Sequence, residues 1–259
     1  MTSSTDAAGR SAELSERLER VRARIRRACT GRAEPTLIVV TKYFPASDVE
    51  LLAALGVTEV GENKDQEAAA KAEATAGLAL DWHFIGQLQS NKAKSVVRYA
   101  SAVHSVDRLS LVRALGKAMD AEQQRRADAG RPQRPPLECF LQVDLRNPES
   151  AAGAAGPEGP PAGAGRGGAL PSELPGLADA VAAVPGLRLA GVMAVAPLES
   201  DPGEAFAALQ ELSDALRRDH PEAGAISAGM SADLEQALEH GATHLRIGSD
   251  ILGQRPPVR

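Results

Sequence analysis

The chain has 259 residues, 43% of them apolar, enough for one large domain or two small ones with a real core. A net charge of −5 with acids and bases interspersed argues against a nucleic-acid or membrane-surface partner. Two cysteines in unrelated contexts, Cys29 and Cys139, indicate neither a disulfide framework nor a metal site.

The opening "MTSSTDAAGR" lacks the apolar core of a signal peptide, and no apolar run reaches membrane-spanning length. A soluble, cytoplasmic protein with residues 1–10 disordered is therefore expected. Leu14, Leu18, Val21, Ile25 and Cys29 then form one apolar stripe on a charged helix over 11–30. Strand-like runs follow at 36–42, 58–63, 81–86, 102–107, 137–145, 187–195, 225–230 and 244–249. Helical patterns fall between them near 47–55, 64–76, 90–99, 108–127, 174–183, 203–219 and 232–240. Eight strands alternating with helices predict an α/β fold, a single (β/α)8 TIM-type barrel domain over 1–259 with the N-terminal helix as an added cover. A doubly wound open sheet is the alternative. Residues 150–170, almost all Gly, Ala and Pro, read as a surface loop inserted after the fifth strand.

Active groups of such barrels collect at the carboxyl ends of the strands. Here those ends carry Lys42, Glu62-Asn63, His83 with Gly86, Asp107, Asp144, Met193, Ser231, and Arg246 with Gly248-Ser249. Closure would bring Lys42 and Arg246 to one pocket. Lys42 either snorkels to water or is an amine whose pKa an apolar mouth and a nearby cation lower, making it nucleophilic towards an aldehyde. "SAGMSADLEQALEHG" places Ser231 where a helix begins, either as an ordinary cap or beside an anion. Asp233 and Glu235 are expected to face solvent. Gly248 and Ser249 let backbone N–H groups approach an anion between the last two strand ends. A phosphate site beside a Schiff-base lysine points to pyridoxal 5′-phosphate, PLP. Arg246 either forms an ion pair across the barrel, with Glu62 for instance, or donates to the cofactor's pyridine nitrogen.

The stretches "VVTKYFPASDV", "VGENKDQEA", "WHFIGQLQSNK", "GVMAVAP" and "GMSADLEQALEHGATHLRIGSDILG" resemble, in order, the motifs of the pyridoxal phosphate homeostasis proteins. The resemblance runs from about residue 36 to 253 and implies the fold-type III barrel of alanine racemase. By motif, it implies a covalent aldimine on Lys42, phosphate contacts from Ser231, Gly248 and Ser249, and Arg246 on the ring nitrogen. Asn63 and Met193 would line the ring, with His83 a further member. The family's basic residue after the fifth strand has its counterpart in "GRGG" at 165–168, displaced by the insert, which leaves the role of Arg166 open.

Two functions from different classes are consistent with these residues. One is a PLP-binding protein without dedicated catalysis, a monomer or weak dimer that supplies apo PLP-dependent enzymes. The other is an amino-acid racemase, which needs a second proton carrier on the opposite face of its substrate. Alanine racemases bring that group from a C-terminal β-domain, for which a chain ending at Arg259 is expected to have no room; His83, Tyr43 or Tyr99 would have to substitute. The carrier is the expected function.

Overall fold

The β-branched run "TLIVV" is extended as β1, Thr36–Val40. The later apolar runs give β2 (Glu59–Glu62), β3 (Asp81–Phe84), β4 (Ala100–Val106), β5 (Leu137–Gln142), β6 (Leu187–Met193), β7 (Ala225–Ser227) and β8 (His244–Ile247). The computed structural model describes residues 3–146, 167–198 and 200–255. Each strand pairs in parallel with the next, and β1 pairs with β8, so the sheet is a closed eight-stranded barrel rather than an open one. The surrounding helices are α1 (Ser3–Ala28), α2 (Ala46–Ala54), α3 (Asp65–Ala74), α4 (Ala93–Val96), α5 (Leu109–Asp128), α6 (Leu174–Ala182), α7 (Pro202–Asp219), α8 (Leu234–Glu239) and α9 (Ser249–Leu252).

Strand alternation sorts the side chains into two layers. Val39, Val60, Trp82, Phe84, Leu141 and Ile247 belong to the large core between sheet and helices. A Cβ on Gly61 would meet Ile38 at 2.9 Å and Val40 at 3.6 Å, which puts Ile38, Val40 and position 61 together on the lumen side. Ala102, Phe140, Ala190 and Met193 form a small apolar cluster there.

The stripe of α1, Leu14, Leu18, Val21, Ile25 and Cys29, is buried throughout. It packs the helix against α2, α8 and α9. The helix starts earlier than expected: Arg10 Nη2 donates to Asp48 Oδ2 at 2.7 Å and to the Leu252 carbonyl at 3.0 Å. These bonds anchor Arg10, and the helix runs from Ser3, with residues 1–2 outside the described residues. Most of the Gly/Ala/Pro insert, residues 147–166 with Arg166 among them, lies outside the described residues. Beyond it the chain returns along β5, where Ala169 N–H donates to Gln142 O at 2.8 Å and Asp144 N–H to Ala169 O at 3.0 Å.

Among the described residues, no helix is long and apolar enough to cross a membrane.

Candidate functional site

β1 ends at Val40, two residues before Lys42, and the neighbouring residues on either side fix the lysine. Thr41 is buried; its hydroxyl donates to Glu62 Oε1 at 2.7 Å, and its carbonyl accepts from Lys71 Nζ at 2.9 Å. Lys71 and Glu62 form an ion pair at 2.5 Å. Burial pushes the Glu62 carboxyl up, and the Lys71 ammonium opposes that shift. After Lys42 the chain turns, Phe44 N–H donating to Thr41 O at 3.1 Å. Tyr43 takes φ 73°, the one non-glycine residue at positive φ among the described residues, a strained conformation that tends to gather at functional sites. Lys42 thus leaves a backbone pinned on both sides.

The two lysines differ in their company. Lys71 has a carboxylate. The Lys42 ammonium, half-buried at the mouth, has Tyr43 for a neighbour, 5.9 Å from the ring centroid, and among the described residues no ion-pair partner. Ile38 and Val40 face the lumen, and Lys42 follows two residues beyond the end of β1. Alternation rules out the Arg246–Glu62 pair considered from the sequence. Glu62 follows Gly61, so it faces α3 and Lys71, on the far side of the sheet from Arg246.

Arg246 is buried in the lumen, where Nη1 donates to Ser227 Oγ at 2.5 Å and Nη2 to the Ala194 carbonyl at 2.8 Å. Burial lowers its pKa to about 10. Met193, one residue before Ala194, is buried in the lumen cluster. Asn63 follows β2, and its side-chain carbonyl oxygen is buried without a hydrogen-bond partner among the described residues. Gly86 fits there because a Cβ would come within 2.1 Å of the Asn63 carbonyl.

The loops after β7 and β8 meet at the mouth. Ser231 Oγ and Ser249 Oγ are 3.3 Å apart. A Cβ on Gly248 would approach the Val40 carbonyl to 3.2 Å, so β1 and β8 run close there. Ser231 is not the helix cap that its sequence position suggested. α8 starts at Leu234 with Asp233 at the cap position, and Asp233 Oδ1 accepts the Met230 N–H at 2.5 Å. Asp233 is buried and so is not the solvent-facing acid expected, whereas Glu235 stays partly open to solvent while paired with Arg24. Arg24 of α1 binds Glu235 through Nη2 at 2.9 Å and Asp250 through Nη1 at 2.7 Å, and donates to the Ser231 carbonyl at 3.1 Å. One guanidinium thereby holds both serine loops in register.

His83 does not join this group. Its Nε2 lies 2.7 Å from Glu59 Oε2 and its Nδ1 2.8 Å from His104 Nε2, so both nitrogens are engaged deeper in the lumen. Two further parts of the mouth escaped the sequence reading: the Gln142 amide donates to the Gly167 carbonyl, and Gln87 lies so close that any side chain at position 167 would collide with it. Arg24, Lys71 and Gln142 act across long sequence separations, and no local pattern marks them.

The groups fit a phosphorylated aromatic aldehyde: an amine with no ion-pair partner and an amide oxygen with no hydrogen-bond partner among the described residues, two neighbouring hydroxyls and a buried guanidinium. Comparison with known proteins agrees with that chemistry. A family model described as "Alanine racemase, N-terminal domain" matches residues 159–256. The pyridoxal phosphate homeostasis protein of Mycobacterium tuberculosis is 39% identical over 264 residues, 95% of this chain and 94% of its own. That of Corynebacterium glutamicum is 39% identical over 220 residues, 85% of this chain and 90% of its own. PipY of Synechococcus elongatus, solved with PLP bound, superposes with a TM-score of 0.69 at 29% identity, covering 93% of this chain and all of PipY. The chain belongs to the pyridoxal phosphate homeostasis protein family.

Proposed function

We propose that the chain, as one barrel domain over 1–259, holds PLP reversibly as a Schiff base on Lys42 and has no dedicated catalytic role. The observation that carries this reading is the Lys42 ammonium at the mouth with no ion-pair partner among the described residues, while nearby Lys71 is neutralised by Glu62. PLP supplies an aldehyde that condenses with an amine and a ring that can accept electrons. Ser231, Gly248 and Ser249 would hold its phosphate, through two hydroxyls and a close backbone. Asn63 and Met193 would line the ring, and the orphaned Asn63 oxygen supports a polar contact there. Arg246 has donors only, so its guanidinium leaves the ring nitrogen unprotonated. That disfavours carbanion chemistry and suits a carrier.

The groups that could serve a racemase as second proton carrier are committed elsewhere, which also supports the carrier. Both His83 nitrogens are bonded. The Tyr99 hydroxyl donates to Asp65 at 3.4 Å, and burial, with that carboxylate, pushes its pKa up. The Tyr43 ring lies 3.6 Å beneath the Arg255 guanidinium. In this reading the protein is a cytoplasmic monomer or weak dimer that passes PLP to apo enzymes. The test is the visible spectrum of the purified protein with PLP beside that of Lys42→Ala. A Schiff-base band that borohydride removes, absent in the variant, is expected; the same flat spectrum for both would reject the reading.

A further inference from the structure

Arg246 contacts two neutral partners, a hydroxyl and a carbonyl, an unusual setting for a buried guanidinium. Its hydroxyl partner is the start of a longer series. Ser227 Oγ lies 2.9 Å from His104 Nδ1, His104 Nε2 lies 2.8 Å from His83 Nδ1, and His83 Nε2 lies 2.7 Å from Glu59 Oε2. Ser227 and His104 are fully buried. Glu59 is the first residue of β2. It lines a cavity of about 330 Å³ at the end of the barrel away from Lys42, together with Arg22, Arg26 and Glu34.

With both imidazoles neutral, the carboxylate at one end fixes the direction of every bond. Guanidinium only donates and carboxylate only accepts, while neutral imidazole has one donor and one acceptor. Starting from Glu59, His83 must carry its proton on Nε2 and accept at Nδ1. His104 must then donate from Nε2 and accept at Nδ1. Ser227 gives its proton to that Nδ1, and its oxygen receives Arg246. Neutral His104 is what its surroundings impose: it is buried, stacked 4.1 Å from Phe140, and burial, with His83 beside it, holds its pKa well below the usual histidine value. The other titratable neighbour, His244, has its ring centroid 6.5 Å from that of His83 and 6.4 Å from that of His104. It too is held neutral by burial, at about 4. Asp233 is the carboxylate that acts on Arg246 from the mouth side. Aligned hydrogen bonds between a cation and an anion polarise one another.

We propose that Ser227, His104, His83 and Glu59 are positioning residues for Arg246, a one-directional hydrogen-bond relay that sets the aim of the guanidinium and links its charge to a carboxylate at the opposite mouth. The consequence for the cofactor rests on the reading that Arg246 faces the ring nitrogen. A change at Glu59, outside the cofactor pocket, then alters the electronics of the bound ring.

Two measurements separate the relay from the cofactor reading. Histidine ¹⁵N–¹H correlation spectra of the apo protein report tautomers without any cofactor. His83 and His104 are each expected to carry the proton on Nε2, and Glu59→Gln or Ser227→Ala is expected to disturb both. A proton on His104 Nδ1 in the wild type would overturn the relay whatever PLP does. In the PLP-loaded protein, Glu59→Gln and Ser227→Ala are each expected to move the absorption maximum and weaken PLP binding about tenfold, the loss of one bond to a charged group. Ser227→Thr, which keeps the hydroxyl, is expected to restore both. An unmoved band and unchanged affinity in Glu59→Gln, with the tautomers as expected, would reduce the series to packing and overturn the proposal. Absence of any band in the wild type would instead sink the cofactor reading, and the tautomers alone would then decide the relay.

Discussion

Ile38 and Arg246 are paired residues across the seam that closes the barrel, where β1 meets β8. Residues two apart on a strand share a face, so Ile38 and Val40 succeed one another along the lumen, and Lys42 follows two residues beyond the strand end. The proposed site draws on this seam: the lysine that follows the first strand and the arginine of the last would open onto one space.

The proposed phosphate contacts predict a discrimination between PLP and pyridoxal. Each hydroxyl bonded to a charged oxygen is worth about 1.5–3 kcal/mol. Replacing both Ser231 and Ser249 by alanine is expected to weaken PLP binding at least tenfold and to leave pyridoxal binding little changed. Equilibrium titration with both ligands checks this, and an equal loss for the two would place the phosphate elsewhere.

The Thr41–Glu62–Lys71 cluster predicts a stability effect. In Lys71→Met the fully buried Glu62 loses its counter-charge, and breaking such a pair costs about 3–5 kcal/mol. The double variant Lys71→Met with Glu62→Gln is expected to recover most of that. Urea unfolding of the wild type, both single variants and the double variant measures it; additive losses would show that the pair is not coupled.

Stability should also fall in mild acid. His244 is held at about 4 by burial, against about 6.5 in the unfolded chain. Between those values the unfolded state binds more protons, so stability rises with pH; it is complete above pH 6.5 and is lost as pH falls towards 4. A depression of that size corresponds to about 3 kcal/mol. Glu62, whose value is raised, acts with the opposite sign, so the comparison must be with His244→Asn. That variant is expected to show a flatter dependence of unfolding free energy between pH 7 and 4.5, and an unchanged slope would mean His244 does not titrate there.

Tyr43 predicts a kinetic effect. Its positive φ costs about 1–2 kcal/mol for a residue with a Cβ. Tyr43→Gly removes that strain but also the ring under Arg255. The apo protein is expected to keep its thermal stability within a few degrees, while PLP leaves several-fold faster in a dilution experiment. Slower release would mean the ring hinders exit.

The barrel was legible because its strands are short apolar runs at regular spacing, a signal that does not depend on tertiary detail. Closure followed from their number. Lys42 could be singled out by the company of the motifs at the other strand ends, because a lysine after "TLIVV" on its own equally reads as snorkelling to water. The position of His83 could not be settled the same way: its place on β3 was clear, but which partners engage it depends on Glu59 and His104 from neighbouring strands. Asp233 looked like an exposed first-turn acid, yet the helix starts one residue after it and its carboxylate turns back to Met230. Arg24 reaches Glu235 across 211 positions, and Ser227 receives meaning only from His104 and Arg246. Such roles are made by packing and leave no local trace.

The central claim is that Lys42 is the amine that holds the cofactor. The most direct measurement is borohydride reduction of the PLP-loaded protein followed by peptide mass spectrometry. A pyridoxyl adduct on the peptide bearing Lys42, with Lys71 unmodified, is the predicted result. An adduct on Lys71, or on no lysine of the barrel mouth, would contradict it.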